Sequence, residues 1–173
     1  LKQALRNNEI KPILGSCAIS GYGVGEVLSF ICNFAPVHCE KGTIEVDGKS
    51  VETKDDAPFT GRVFKTVVDP FVGKISYLKI MSGSLSLSTP LYNANKDVNE
   101  KAGALYVMCG KKQQTVDKAY CGDIVALTKL SQTETCDTLC TKDFVVKYLP
   151  IEYPRPMLGM AISPKTKDDE DKM

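Results

Sequence analysis

The chain has 173 residues, a length that fits one domain or two small ones. Its hydrophobic fraction of 43% and charged fraction of 25% are ordinary for a globular protein, and no apolar run approaches the roughly 20 residues of a membrane helix. The formal net charge of +1 gives no overall attraction to nucleic acid, so any RNA contact must come from a local patch. We therefore expect neither a membrane nor a DNA partner.

The cysteine pattern gives no sign of a disulfide framework. The seven cysteines are an odd number at irregular spacings, without a Cys-x-x-Cys pair, and His38 is the only histidine. This usage is typical of reduced, mostly buried cysteines in a cytoplasmic protein, and it predicts no metal site. A cysteine-based zinc or redox protein, with Cys136 and Cys140 as the nearest pair in sequence, is the alternative.

The first 39 residues have a helix–strand–helix pattern. We predict the end of a helix over Leu1–Asn8, a short apolar strand over Lys11–Cys17, and a helix over Val24–Phe34 that ends before Pro36. Apolar residues recur at helical spacing in the second helix and predict one buried stripe. The pattern is typical of the close of a larger α/β domain, so we expect the chain to be a fragment.

Residues 40–57 are polar and charged, and they predict an exposed linker that carries a small hairpin. Asp47-Gly48 has the composition of a type I′ turn. Gly42 and Gly48-Lys49-Ser50 are one residue too far apart for a phosphate-binding Walker A loop. We therefore predict no catalytic residues, and no GTP hydrolysis by this chain alone.

Pro58–Leu87 is the strongest structural signal in the chain. Phe59–Val68 and Lys74–Met81 are rich in β-branched and aromatic residues, and Asp69–Gly73 between them has the composition of a tight turn. A second turn follows at Ser82-Gly83-Ser84. Because a two-stranded ribbon is at best marginally stable, the hairpin needs further strands. We predict them over Thr89–Ala94, Gly103–Cys109, Gln113–Val116, Gly122–Leu130 and Asp137–Cys140.

The tail begins with a proline-stiffened extended segment, Tyr148–Pro156. Met157–Ser163 is a predicted apolar strand, and Pro164–Met173 a predicted helix start with Thr166 and Asp169 in capping-box spacing. A strand without its sheet is expected to be disordered, folded back, or paired with a second copy. The expected organisation is therefore a partial α/β domain at 1–39, a linker at 40–57, a β domain at 58–147, and a connector with the start of a further domain at 148–173.

The central stretch resembles domain II of bacterial translation elongation factor G. Phe64–Ile75 and Tyr77–Leu85 carry the match, and the motifs Leu-Tyr-Asn, Gly-Asp-Ile and Asp-Thr-Leu-Cys follow in the family's order. The resemblance implies a mainly β fold: a closed six-stranded β-barrel of the translation-factor domain II type, with a short α/β N-terminal piece and a partial C-terminal strand. Cys121 and Cys136 stand where the family is expected to have Ala and Gly, and Cys136 raises the question of a turn that needs positive φ.

The resemblance also implies a nucleotide contact. Gly15-Ser16-Cys17-Ala18 is similar to the last guanine-binding loop of translational GTPases, with Cys17 in place of the usual Ala. Ser16, Cys17 and Ala18 are thereby implied to help hold the guanine base through backbone amides. The implied cofactors are GTP and Mg²⁺ in the parent protein and none in this fragment.

The function implied by the resemblance is that of a GTP-dependent ribosomal translocase in the cytoplasm. This part would dock on small-subunit ribosomal RNA through loops at one end of the barrel, and it would couple the GTPase domain to domain III. The candidate contacts are Val72, Gly73, Lys74, the adjoining Ser82, Gly83 and Ser84, and also Arg62, Lys65 and Lys79. The alternatives are merely solvated lysines, a ribosomal-protection or release-factor-3-like GTPase, and a stand-alone β-barrel protein-interaction module.

Overall fold

The computed structural model describes residues 1–69, 72–110, 112–161 and 163–164. Pro70 and Phe71 of the predicted turn, and the predicted helix at Pro164–Met173 beyond Pro164, lie outside the described residues. The helices are α1 (Lys2–Arg6), α2 (Val24–Phe34) and a 3₁₀ helix at His38–Lys41. None of them has the length and apolar character needed to cross a bilayer, as far as the described residues go.

The remaining regular elements are strands, which makes the fold mainly β. In chain order they are β1 (Thr43–Val46), β2 (Lys49–Glu52), β3 (Thr60–Asp69), β4 (Gly73–Ser82), β5 (Leu85–Ser86), β6 (Leu91–Asn93), β7 (Val98–Glu100), β8 (Leu105–Cys109), β9 (Lys112–Thr115), β10 (Lys118–Ala119), β11 (Ile124–Thr128) and β12 (Thr138–Cys140). All the strand regions predicted from sequence between 58 and 147 contain a strand. The short strands β5, β7 and β10 were not predicted.

One antiparallel sheet of eight strands dominates, in the order β7-β6-β12-β3-β4-β11-β8-β9. The longest pair is β3–β4, and both of its members are flanked on their other side, β3 by β12 and β4 by β11. Two separate two-stranded sheets, β1–β2 and β5–β10, complete the pairing. The hairpin that the sequence marked most strongly therefore lies in the middle of the sheet.

The larger of two apolar clusters joins strands from both halves of the sheet. It is formed by Phe59, Val63, Leu78, Ile80, Leu85, Leu91, Leu105, Ala119, Val125, Leu127, Leu130 and Leu139. Because Leu91 of β6 and Leu105 of β8 share this core, the sheet must curl over it. Among the described strands, however, the outermost pair β7 and β9 are not bonded to each other. The structure thus has a curled eight-stranded sheet, and it does not display the closed six-stranded ring expected from the resemblance.

The segment expected to be an exposed linker is packed against the sheet. Its hairpin turns at Asp47 and Gly48, whose φ angles of 53° and 71° confirm the type I′ interpretation. Val51 is fully buried in a second cluster with Val146 and Tyr148. Thr53 is also buried, and its backbone N–H donates to the carbonyl of Gly42. Most of the segment is exposed, as expected, but Val51 and Thr53 are buried because alternating residues of the two short strands cover one face.

The N-terminal segment forms its helices but not its strand. α2 has the predicted bounds, yet none of its residues is buried. Lys11–Cys17 forms no strand, and only Cys17 makes a bridge, to Tyr22, within the described chain. The side chain of Ile13 is 96% exposed. A strand needs a neighbour to satisfy its backbone groups, and no described strand is available to this segment.

The predicted apolar strand in the tail is likewise not formed. Residues 157–161 and 163 have no strand pairing, and Met157 and Met160 are largely exposed. The preceding residues behave differently, because Val146 and Tyr148 are buried against the β1–β2 hairpin. The described tail therefore contacts the rest of the chain through Val146 and Tyr148, and through the N–H of Ile151, which donates to the Cys136 sulfur.

Candidate nucleic-acid interface

The β3–β4 hairpin leaves space around the backbone of Gly73, its first β4 residue. Gly73 has a φ of 80°, and a Cβ built there would meet no atom of the described residues within 4 Å. The N–H of Val72 donates to Oδ1 of Asp69, which fixes the entry to the turn. Lys74 follows at the start of β4. The tip therefore combines an accessible backbone with a cation, as a phosphate contact requires.

Two further lysines lie at the same end of the sheet, and sequence reasoning missed both. Thr128 is the β11 partner of Ile75, so Lys129 lies at the Lys74 end. Lys96 forms an ion pair with Glu134 at 2.9 Å. This pair lowers the pKa of Glu134, with a smaller contribution from Lys74. Only the register of the sheet brings these residues together, since they are distant in sequence.

The turn Ser82-Gly83-Ser84 lies at the opposite end of β4. Because a strand rises about 3.3 Å per residue, the two turns are roughly 30 Å apart. Ser82 is 1% exposed, and its hydroxyl donates to the carbonyl of Glu52 at 2.6 Å. Gly83 donates its N–H to the carbonyl of Lys54, and a Cβ there would lie 2.5 Å from the carbonyl oxygen of Ala57. The structure therefore does not bring the two candidate turns together, and this second one is enclosed by the linker.

The other three candidates lie between the two turns, on the outer face of the hairpin. Arg62 of β3 is directly opposite Lys79 of β4. Lys65 is opposite Tyr77, and its Nζ lies 5.7 Å from the centre of that ring. These cations belong to the middle of the sheet and not to a loop.

A β-bulge adds an aromatic residue to this face. The pairing passes from Val63 opposite Leu78 to Lys65 opposite Tyr77, which leaves Phe64 without a partner in the ladder. The rings of Phe64 and Tyr77 lie 6.3 Å apart with their planes tilted by 49°. A shallow cavity of about 350 Å³ beside them, which we call the hairpin groove, is lined by Arg62, Phe64, Lys79, Met81, Ile124 and Tyr148.

The loop expected to hold guanine is exposed and turned back on itself. The amide of Cys17 donates to the carbonyl of Tyr22 at 2.8 Å. The Ser20 hydroxyl and backbone lower the pKa of the Cys17 thiol. The amide of Ala18 has no acceptor among the described residues, and Ser16 is exposed beside it. One backbone donor of the loop is therefore engaged internally and the next is available.

A known protein family matches the central β region of the chain. Residues 58–142 match the family profile described as "Elongation factor G domain 2". Over 183 aligned residues the whole chain is 36% identical to elongation factor G of Dehalococcoides mccartyi, strains BAV1 and CBDB1. The chain belongs to the elongation factor G family. This confirms the family that the resemblance indicated.

Two further relatives of this elongation factor G segment agree. An elongation factor G-like protein of Thermotoga maritima is 36% identical over 181 residues, which cover 100% of the chain. A crystal structure of a Thermus thermophilus protein superposes with a TM-score of 0.75 and 25% identity, over 99% of the chain and 24% of that structure. The chain spans about a quarter of the length of the curated relatives it matches, 26% in each case.

The cysteine that replaces an expected glycine in this elongation factor G segment occupies a strained turn. Cys136 has a φ of 79°, a left-handed conformation that glycine adopts more easily. Its N–H donates to the carbonyl of Val63, and its sulfur accepts the N–H of Ile151. The question raised by the sequence is thereby answered: the turn does need positive φ.

The expectation of mostly buried cysteines was wrong. All seven are free, but Cys17, Cys32, Cys39 and Cys109 are exposed, and only Cys140 is buried. Burial, and next the Asp55 carboxylate, raise the pKa of Cys121 to about 11, which keeps that thiol protonated. The described residues contain no group of three metal-ligating side chains. Three of the four exposed cysteines, Cys17, Cys32 and Cys39, lie in the N-terminal segment that lacks its predicted strand.

A buried carboxylate that the sequence did not mark braces the lysine-rich end. Glu100 is 8% exposed and accepts hydrogen bonds from the backbone N–H groups of Ser131, Gln132 and Thr133, and from the Ser131 and Thr133 hydroxyls. Burial alone would raise the pKa of Glu100, but these hydrogen bonds outweigh it and lower the pKa. Glu100 is thus a structural anion that holds this loop against β7.

Proposed function

We propose that this chain is the part of a GTP-dependent ribosomal translocase that docks on small-subunit ribosomal RNA and couples the GTPase domain to domain III. The factor would act in the cytoplasm, where ribosomes work. Membership in the elongation factor G family supports translation elongation as the general role. The docking partner, the nucleotide and the neighbouring domains are the parts that we propose.

One observation carries the docking proposal: the open tip of the β3–β4 hairpin. Gly73 leaves its backbone accessible, and Lys74, Lys96 and Lys129 gather at that end of the sheet. RNA docking through shape relies on phosphate contacts, and the cations and the side-chain-free backbone at Gly73 suit such contacts. Glu134 and Asp137 lie 2.9 and 3.9 Å from the Lys96 ammonium and partly neutralise the cluster, so the attraction is local.

A continuous series of contacts supports the coupling role. Lys2 and Arg6 of α1 form ion pairs with Glu40 in the 3₁₀ helix. In the same helix, the imidazole Nε2 of His38 is hydrogen-bonded to the carbonyl of Met81 at 2.9 Å. A displacement of the N-terminal segment would therefore be transmitted to the end of β4. The closure of the sheet into a six-stranded barrel also belongs to this proposal, because a closed cylinder would move as one body.

The nucleotide contact is proposed for the parent protein. The exposed loop with its free Ala18 amide and the neighbouring Ser16 fits a backbone contact to a guanine base. GTP with Mg²⁺ would supply the phosphoryl-transfer chemistry when bound, and this chain's residues would only orient the base. Cys17 would position the loop, because its amide is held by Tyr22.

The docking proposal is tested by Lys74→Glu in the full-length factor, with Lys142→Glu as the matched control. Lys142 is exposed and lies near the opposite end of β3, just after Cys140, the partner of Thr60. We expect Lys74→Glu to weaken ribosome binding about 10-fold, since it replaces an attraction to phosphate by a repulsion. The measurements are ribosome co-sedimentation and ribosome-stimulated GTP turnover. If Lys74→Glu binds ribosomes and turns over GTP as well as Lys142→Glu does, the tip is not part of the interface. That result would favour the protein-interaction module.

A further inference from the structure

We propose that the hairpin groove binds one unpaired RNA nucleotide, with its base against Phe64 and its phosphate between Arg62 and Lys79. This inference rests on the proposed function and deepens it. It adds a second contact, on the face of the sheet, to the phosphate contacts at the hairpin tip. It also states the chemistry of the RNA element, which must offer a base that is not stacked in a helix.

The first support is an uncompensated pair of cations. Arg62 and Lys79 are directly opposite each other in adjacent strands, an arrangement that is destabilising for like charges. Among the described residues, neither has an ion-pair partner within 4.0 Å. Glu45 and Asp47 line the neighbouring cavity on the other side of Arg62, yet they too stay beyond that distance. A phosphate in the groove would offset the repulsion.

The guanidinium of Arg62 also contains a hydrogen-bond donor without an acceptor. Its Nε is buried and has no hydrogen-bond acceptor among the described residues. A buried donor without an acceptor is costly, so such donors are rare in folded proteins. Because this atom is shielded from solvent, a ligand acceptor would reach it only if the Arg62 side chain shifted. The paired charges of Arg62 and Lys79 are therefore the main reason to expect a negatively charged ligand in the groove.

The second support is the aromatic wall. The bulge places Phe64 and Lys65 together beside Tyr77, so that ring and cation alternate along the outer face. Met81, Ile124 and the ring of Tyr148 provide the remaining apolar lining. Proteins that bind single-stranded nucleic acid combine such rings, on which bases stack, with cations that follow the backbone.

The strand pairing disfavours an acidic peptide as the occupant. An extended peptide commonly gains affinity by adding to a free strand edge. Beside the groove the outer edges are already paired, because Arg62 of β3 lies opposite Thr138 of β12 and Lys79 of β4 lies opposite Ile124 of β11. The groove is also small, at about 350 Å³, and suits a single planar group better than a helix.

The experiment measures binding of a labelled short oligoadenylate to the full-length factor by fluorescence anisotropy. We expect Phe64→Leu to weaken binding about 5- to 150-fold, because it keeps apolar volume but removes the stacking surface. Phe64→Tyr, which keeps the ring, should bind within about 2-fold of wild type. Arg62→Gln and Lys79→Gln should each weaken binding and lower the salt dependence of log K by about one. Lys142→Gln is the matched control and should change neither.

Competitors identify the ligand class. Inorganic polyphosphate should compete poorly with oligoadenylate, and polyglutamate more poorly still. Equal competition by polyphosphate, together with an unaffected Phe64→Leu variant, would reduce the groove to a simple anion site and overturn the proposal. Stronger competition by polyglutamate would overturn it in favour of an acidic peptide. If Phe64→Leu lowers the unfolding temperature, the Phe64→Tyr and Arg62→Gln variants still decide, because loss of binding in Phe64→Tyr would contradict stacking.

The same variants separate this inference from the proposed function. If Lys74→Glu weakens ribosome binding and Phe64→Leu binds ribosomes as wild type does, docking stands and the groove inference fails. If neither variant affects ribosome binding, the proposed docking itself fails. If both weaken ribosome binding while the control variants Lys142→Glu and Lys142→Gln do not, both are supported.

Discussion

The two turns at the ends of β4 look alike in sequence but have opposite environments. At Gly73 in the Val72-Gly73-Lys74 turn, no atom of the described residues lies where a side chain would go, whereas the Ser82-Gly83-Ser84 turn is enclosed by the linker. Each has a glycine with positive φ, at 80° and 71°. The difference teaches that a glycine-containing turn becomes a surface for partners only where nothing else in the chain covers it.

The largest test of this comparison is a matched pair of alanine substitutions. Gly83→Ala should destabilise the chain by about 3 kcal/mol or more, because strain at positive φ adds to a Cβ 2.5 Å from the carbonyl oxygen of Ala57. Gly73→Ala should cost only about 1 kcal/mol, from φ strain alone. Urea unfolding of both variants measures the difference. Similar losses would mean that the two turns are not in different environments.

The next test acts on the loop that Glu100 braces at the open end. Glu100→Gln should cost about 2 kcal/mol at neutral pH, since an amide cannot accept all the hydrogen bonds that the carboxylate accepts. Glu134→Gln, in the same loop but exposed, should cost less than about 1 kcal/mol. Chemical unfolding at neutral pH compares the two variants.

The Glu100 effect should depend on pH with a defined sign. The pKa of Glu100 is lowered in the folded chain, so its contribution is complete above the ordinary glutamate pKa of about 4.3 and is lost as pH falls through the lower folded value. Wild type and Glu100→Gln should therefore converge in stability as the solution is acidified below that range. A constant difference down to strongly acidic pH would contradict a buried, ionised Glu100.

The smallest expected effect is a gain. Cys136→Gly should stabilise the chain by up to about 1 kcal/mol, because relief of strain at a φ of 79° exceeds the added entropy of the unfolded glycine. Thermal unfolding with a reductant present measures it. A loss would show that the contact between the Ile151 N–H and the Cys136 sulfur matters more than the backbone strain.

Local sequence patterns predicted a strand or turn correctly where its pairing partner is close in the chain. The strands β3 and β4 and the Asp47-Gly48 turn were predicted to within a residue or two, because β-branched composition and turn residues act over short range. Lys11–Cys17 and Met157–Ser163 have equally apolar sequences, yet no described strand pairs with them. Their pattern required a neighbour that the sequence could not identify.

The candidate site was predictable only in part, for a similar reason. The tip residues Gly73 and Lys74 were evident from turn chemistry, but Lys96, Lys129 and Glu100 join that end through the register of the sheet. The separation of the two turns was not predicted from the sequence either, because it depends on the full length of β4. Phe64 was visible as a strand residue, but its bulged position was not.

Phe64 is surplus to the ladder, because Val63 and Lys65 pair with the consecutive residues Leu78 and Tyr77 without it. A shortened β3 from which Phe64 had been deleted would keep every remaining rung of the β3–β4 ladder. The β3–β4 pair can therefore gain or lose this aromatic residue without a change in the pairing of the other residues. Such a residue is free to vary with the needs of a partner while the scaffold around it stays constant.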